Sequence, residues 1–213
     1  MLLSKESLSS MFRSAALLWQ SNTARLGEID SRFGDGDHGV TVGKMAALIL
    51  SRLDEWRGES IENFGIKTFI ESLGSGILEI GGGSAGPLYG TLMEGLATPL
   101  SDEPEIGAST LKAMLAASKE ALFEITKARV GDKTMMDAWI PGVEAAQNAE
   151  DDVKSILEAA SSAASQGAAA TENMVAKFGR ARSYGEQTLG TPDVGATSAA
   201  LLLEGFLRGA DRL

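Results

Sequence analysis

Apolar side chains recur every three to four residues along most of the chain, the spacing of a helix that buries one face. Between Lys5 and Ser21, the residues Leu8, Met11, Phe12, Ala15, Leu18 and Trp19 fall on one stripe. The same pattern predicts helices around 40–56, 62–79, 87–98, 108–128, 134–148, 151–170 and 195–211. No segment alternates apolar and polar residues as a half-buried strand does, and β-branched residues are scattered. The Ala- and Ser-rich stretch from Val153 to Thr171 suits a close helix–helix contact better than a linker, because its small residues form helix readily. The pattern predicts an all-α single domain over residues 1–213, a set of about eight helices whose short connections make neighbours antiparallel.

The glycines break this pattern. There are 25 of them, more than helix ends and turns ordinarily use. Many fall in four clusters: Gly34 to Gly39, Gly81 to Gly86, Gly131 to Thr134, and Gly190 to Gly195. Each cluster leads into an expected helix. The first turn of a helix presents unpaired N–H groups and a partial positive charge, which favour an anion. Alternate loops of an up-and-down bundle lie at one end, so these clusters are expected to converge on one ligand.

Charge narrows what that ligand is. Against 19 Lys and Arg stand 29 Asp and Glu, a net charge of -10. Nucleic acid is a poor partner for such a chain, since phosphate contacts need clustered cations. A phosphate-bearing small molecule is compatible if metal ions bridge the two negative partners. The chain has no cysteine, which excludes thiolate chemistry and disulfides and suits a reducing compartment. No apolar run approaches the roughly 20 residues of a membrane span. A cytoplasmic protein with no membrane partner is the expectation.

The densest chemistry lies in Asp30-Ser31-Arg32-Phe33-Gly34-Asp35-Gly36-Asp37-His38-Gly39. Three carboxylates this close repel one another, and a hard cation between them resolves the repulsion. Magnesium would take these oxygens and keep positions open for phosphate. The plain alternative is a solvated turn with an Asp helix cap. The spacing is not that of a calcium-binding EF-hand, which needs a bidentate Glu at the end of its loop. His38, the only histidine, has either a structural role or a role beside the phosphates. No Lys follows Gly82 to Gly86, so that loop is not a Walker P-loop. It is either a flexible helix entry or a phosphate cradle made by the N–H groups of Gly83, Ser84 and Ala85. Asp132 or Thr134 would cap the helix that follows, Met135 would be buried, and Asp193 would cap the last helix. Arg180 is a surface charge or an anion contact.

Together these stretches resemble the L subunit of dihydroxyacetone kinase, a family also found as the C-terminal domain of single-chain dihydroxyacetone kinases. The matching segments are GDGDHG at 34–39, GGGSAGPLYG at 81–90, GDKTMMDAWIP at 131–141, GRA at 179–181 and DVGATS at 193–198. They occur in the family's order along essentially the whole chain. The resemblance implies a barrel of eight antiparallel helices with the nucleotide at one end. It implies that Asp30, Asp35 and Asp37 hold two magnesium ions, and that His38, Gly39, Val40 and Thr41 lie against ADP or ATP. Ser84 and Ala85 match the phosphate-side loop, Met135 the adenine pocket, and Arg180, Asp193 and Gly195 further contacts. Gly83, Thr134 and Val194, which flank them, complete the candidate nucleotide-binding set. No residue of this subunit is implied to act covalently.

The family also implies partners. A γ-phosphoryl group passes to dihydroxyacetone held on a separate K subunit, for which 213 residues leave no room. A phosphotransferase-system M subunit recharges the bound ADP, or free ATP exchanges instead. The chain departs from the family at Arg182, at Gln187 where an Arg is common, at Val194 where Pro is usual, and at Thr126 where Gly is common. These departures leave the substrate open, erythrulose included. A nucleotide-sensing subunit that binds a transcription regulator is the non-catalytic alternative.

Overall fold

The computed structural model describes residues 2–59, 64–101 and 103–211. These fold into nine α-helices and no named strand: α1 (Lys5–Ser21), α2 (Thr23–Asp30), α3 (His38–Gly58), α4 (Ile66–Leu78), α5 (Ala85–Ala97), α6 (Ala108–Ile125), α7 (Met136–Asn148), α8 (Val153–Ala170) and α9 (Val194–Ala210). The all-α expectation holds, with one helix more than the periodicity shows. That helix is α2, eight residues with only Leu26 buried, so it has no repeated apolar stripe to read. Of the third expected helix, 62–79, positions 62–63 lie outside the described residues.

Three helices are capped by the side chain of the residue just before them. Ser4 accepts from the Ser7 N–H at α1, Asp152 from Ser155 at α8, and Asp193 from Ala196 at α9. Each satisfies one of the N–H groups that a helix start leaves unpaired. Packing then sets the order. α1 lies against α3, α3 against α4, and so on through α9, which returns to α1, while α2 packs on α3 and α9. The contacts run in a closed circuit. Inside it Trp56 and Phe69 stack with centroids 4.0 Å apart, and Phe12 meets Phe69 and Phe206 edge-on.

Two seams are made close by glycine. At the α1–α9 seam a Cβ on Gly205 would stand 2.2 Å from the Cα of Ala15, and one on Gly209 2.3 Å from the Cα of Met11. At the α7–α8 seam the cause lies in Pro141, inside α7. Proline has no N–H, so the Asp137 carbonyl four residues earlier loses its helical donor. α8 closes on that carbonyl with Gly167, where a Cβ would lie 2.0 Å from the Asp137 oxygen. Gly167→Ala is therefore expected to destabilise the protein by about 2–3 kcal/mol, the range of an overpacked core. Urea denaturation of the two proteins measures this directly.

Candidate functional site

The site begins where α2 runs out. The Gly34 N–H turns back to the Asp30 carbonyl at 2.6 Å, and the Ser31 hydroxyl donates to the Gly27 carbonyl. The chain then reverses through Gly36 at φ +76, a left-handed conformation, with Ser31 Oγ only 2.6 Å from where a Cβ would sit. The reversal brings Asp35 and Asp37 back to Asp30. One carboxylate oxygen from each of the three lies within 4.8 Å of the others. Asp30 has a second task, since its Oδ2 accepts the His38 N–H at 3.2 Å and so caps α3 in place of Asp37.

Three carboxylates so placed cannot all ionise freely. Partial burial and the charges of Asp35 and Asp30 push the Asp37 carboxyl up. Asp35 also loses solvation, yet a backbone hydrogen bond and the Arg180 guanidinium hold it below the usual range. Arg180 reaches it as an ion pair from the turn Arg180–Thr188. Oxygen donors of this number and charge fit a hard divalent ion such as magnesium.

The other glycine loops meet this one. Gly82, at φ +134, would press a Cβ to 2.4 Å from the Thr41 hydroxyl in the first turn of α3. Beside it Gly83, at φ +57, faces open space, and Ser84 makes no side-chain cap bond to α5. Val40 is 60% exposed on the same rim, whereas Thr41 is buried. Gly39 is explained by packing, because its Cβ would fall 2.1 Å from the Thr23 carbonyl oxygen.

His38 turns inward. Its Nε2 lies 2.9 Å from Ser198 Oγ, which is 2.6 Å from the hydroxyl of Tyr89. Burial pushes the imidazole down to about 4, with the Asp30 charge opposing, so the ring is neutral at physiological pH. Burial likewise raises the Tyr89 phenol. The chain His38–Ser198–Tyr89 ties α3, α9 and α5 together behind the acid loop.

Gly131 to Asp137 packs against the start of α9. Asp137, fully buried, accepts from the N–H groups of Gly131 at 2.6 Å and Thr134 at 2.7 Å. Thr134 Oγ1 accepts the Met136 N–H, so it supports the start of α7 as expected. Asp132 does not: its carboxylate accepts from the Arg129 N–H and from Lys177 Nζ instead. Met135 is buried, and its Cβ and N lie 3.3 Å from where a Gly195 Cβ would sit. Asp193 caps α9 through the Ala196 N–H at 2.7 Å. Burial pushes its carboxyl up to about 7, while that cap bond and Lys133 pull it back. Arg32 of the acid loop reaches Thr191, and Phe33 packs on Tyr184 with centroids 5.2 Å apart.

All the glycine-rich segments thus touch, directly or through one neighbour. Sequence reasoning did not find Ser198, Tyr89, Lys133 or Asp137. A Ser and a Tyr in helices carry no local signal of a shared hydrogen bond. Lys133 and Asp137 stand inside GDKTMMD, and their burial was the missing information.

Residues 32–208 match the DAK2 domain family. The chain belongs to that family. Asp30 lies just before the matched span, so its place in the acid cluster rests on geometry. Among relatives of this DAK2 domain chain, the ADP-binding subunit DhaL of PEP-dependent dihydroxyacetone kinase 2 from Listeria innocua is 34% identical over 181 residues, 84% of this chain and 82% of the relative. The corresponding ADP-binding subunit of Escherichia coli is 30% identical over 190 residues, 88% of each. The L-erythrulose kinase of Pectobacterium atrosepticum is 33% identical over 187 residues, where the chain spans 31% of the relative's length. The dihydroxyacetone kinase of C. freundii in complex with AMP-PNP and Mg2+ superimposes with a TM-score of 0.68 at 25% identity, covering 94% of this chain and 33% of that one. Among the described residues, no helix is long and apolar enough to cross a membrane.

Proposed function

We propose that this chain is the nucleotide-bearing subunit of a dihydroxyacetone-type kinase. It would hold ADP or ATP with magnesium and pass the γ-phosphoryl group to a short ketose on a separate K subunit. The observation that carries this reading is the convergence of the Asp30, Asp35 and Asp37 carboxylates within 4.8 Å, beside helix starts that offer N–H groups to an anion. Magnesium, two ions in this reading, would neutralise and bridge the phosphates.

The protein's own residues do the positioning. The open N–H groups of Gly83, Ser84 and Ala85 would receive the phosphates, with His38, Gly39, Val40 and Thr41 on the adjoining turn. His38 serves through its bond to Ser198, which orients the start of α3. Met135 lies beside Gly195, and with Thr134, Asp193 and Val194 it would line the base side. Arg180, paired with Asp35, would offer two parallel donors to two phosphate oxygens. Catalysis on this subunit is orientation and charge neutralisation, with no covalent protein intermediate. An M subunit of a phosphotransferase system would recharge the ADP, in the cytoplasm. Relatives named as subunits of PEP-dependent kinases, similar in length to this chain, favour that donor.

A second reading follows from the L-erythrulose and D-erythrulose kinases among the relatives: the ketose is erythrulose and free ATP is the donor. Mixing the chain with Mg·ATP, a K subunit and either ketose distinguishes the two by which phosphorylated product forms. Nucleotide binding with transfer to neither ketose would end the kinase reading.

A further inference from the structure

Lys133 is the one residue other than glycine with a positive φ, 59°, among those described. It is also buried, with 4% of its surface exposed. Burying an ammonium is costly unless its donors are met, and here they are met by backbone. Nζ donates to the carbonyl of Thr171 at 2.6 Å and to that of Thr191 at 2.5 Å. Those two residues flank the segment 172–190, which leaves the end of α8 and returns to the start of α9. Its ends are joined again by the Gly190 N–H to the Glu172 carbonyl at 2.7 Å and the Asp193 N–H to Thr171 Oγ1 at 2.8 Å. Beyond this neck the segment meets the neighbouring loops through Lys177, whose N–H and Nζ both donate to Asp132, through the Arg180–Asp35 ion pair and through Tyr184 against Phe33, while the Ala176 N–H donates to Thr188 Oγ1 within it.

We infer that Lys133 is a positioning residue, the clasp that closes the neck of segment 172–190 and so holds Arg180 over the acid cluster and the Asp193 cap against Met135. A neutral apolar side chain cannot replace it, since the buried Thr191 carbonyl would lose the Lys133 donor and the Thr171 carbonyl would keep only the Met174 N–H. Neither can a water-exposed lysine elsewhere, since the strained backbone at φ 59° aims this one inward. Burial pushes the ammonium's pKa down, and the nearby Asp193, Glu172 and Asp137 oppose that shift.

The inference rests on the nucleotide-binding reading for its consequence, but its structural part is tested separately. Hydrogen exchange and Mg·ADP titration are measured on the full chain as wild type, Lys133→Met and Lys133→Gln. For Lys133→Met the amides of 172–190 are expected to exchange at least tenfold faster while those within α4 and α5 do not change, and Mg·ADP affinity is expected to fall at least tenfold. Lys133→Gln, which keeps two donors, is expected to recover part of both, and it carries the test if the Met variant does not fold. Wild-type exchange in 172–190 for both variants overturns the clasp. Faster exchange across the whole chain also overturns it, because the role would then be general stability. Local loosening in a protein whose wild type binds no Mg·ADP leaves the clasp standing and removes the function it was assigned.

Discussion

Asp37→Asn is expected to lower affinity for Mg·ADP at least a hundredfold and to raise the melting temperature of the nucleotide-free protein. Both effects come from one geometry. Three carboxylate oxygens within 4.8 Å repel one another, and Asp37 carries the largest share, with its carboxyl pushed up by burial, Asp35 and Asp30. Removing its charge relieves the free protein. It also removes a ligand and a full negative charge from a cation that bridges to phosphate, and losing one partner of such a pair costs about 2–5 kcal/mol. The side chain makes no cap bond to α3, so the fold survives the change. Asp30→Asn separates the two roles further, because Asp30 also caps α3 through the His38 N–H and its loss would not stabilise. Titration calorimetry and thermal unfolding of the same samples check both signs. A pair of ordinary solvated aspartates would show neither effect.

Gly205→Val is expected to be the most damaging substitution away from the site. A Cβ there would lie 2.2 Å from the Cα of Ala15, 2.6 Å from its nitrogen and 2.7 Å from its Cβ. Two of these three atoms are backbone, so no rotamer change relieves the clash, and α9 must move off α1. That seam closes the circuit of helices and also carries the Trp19 indole donating to the Ser198 carbonyl at 2.9 Å. Moving it therefore reaches the His38–Ser198 bond as well. Destabilisation of about 4 kcal/mol is expected, at the severe end for single substitutions, with a fall in melting temperature of roughly 8–16 °C for a chain of this size. Calorimetric unfolding measures it, and a fall below 3 °C would show that the seam has slack.

The sequence was most legible where periodicity was strong. α1, α6 and α8 appear within about three residues of their expected bounds because each repeats its buried positions over several turns. It was least legible at α2, where a single buried Leu26 gives no period. The glycine loops were correctly placed before helices, yet glycine identity conflates two causes. Gly83 and Gly131 face open space, whereas Gly39, Gly167, Gly205 and Gly209 permit close backbone approach. Only coordinates separate these. The acid triad was evident from spacing, since Asp35 and Asp37 flank one glycine that turns them back. The His38–Ser198–Tyr89 chain and the Lys133 clasp were not, because both depend on pairs more than 35 residues apart and on burial that no local pattern announces.

The most direct test of the central claim is calorimetric titration of the nucleotide-stripped protein with ADP, once with excess magnesium and once with chelator. The account predicts one nucleotide bound per chain with magnesium, and at least a hundredfold weaker binding without it or in the Asp35→Asn protein. Equal binding with and without magnesium, or no binding in either case, would contradict it.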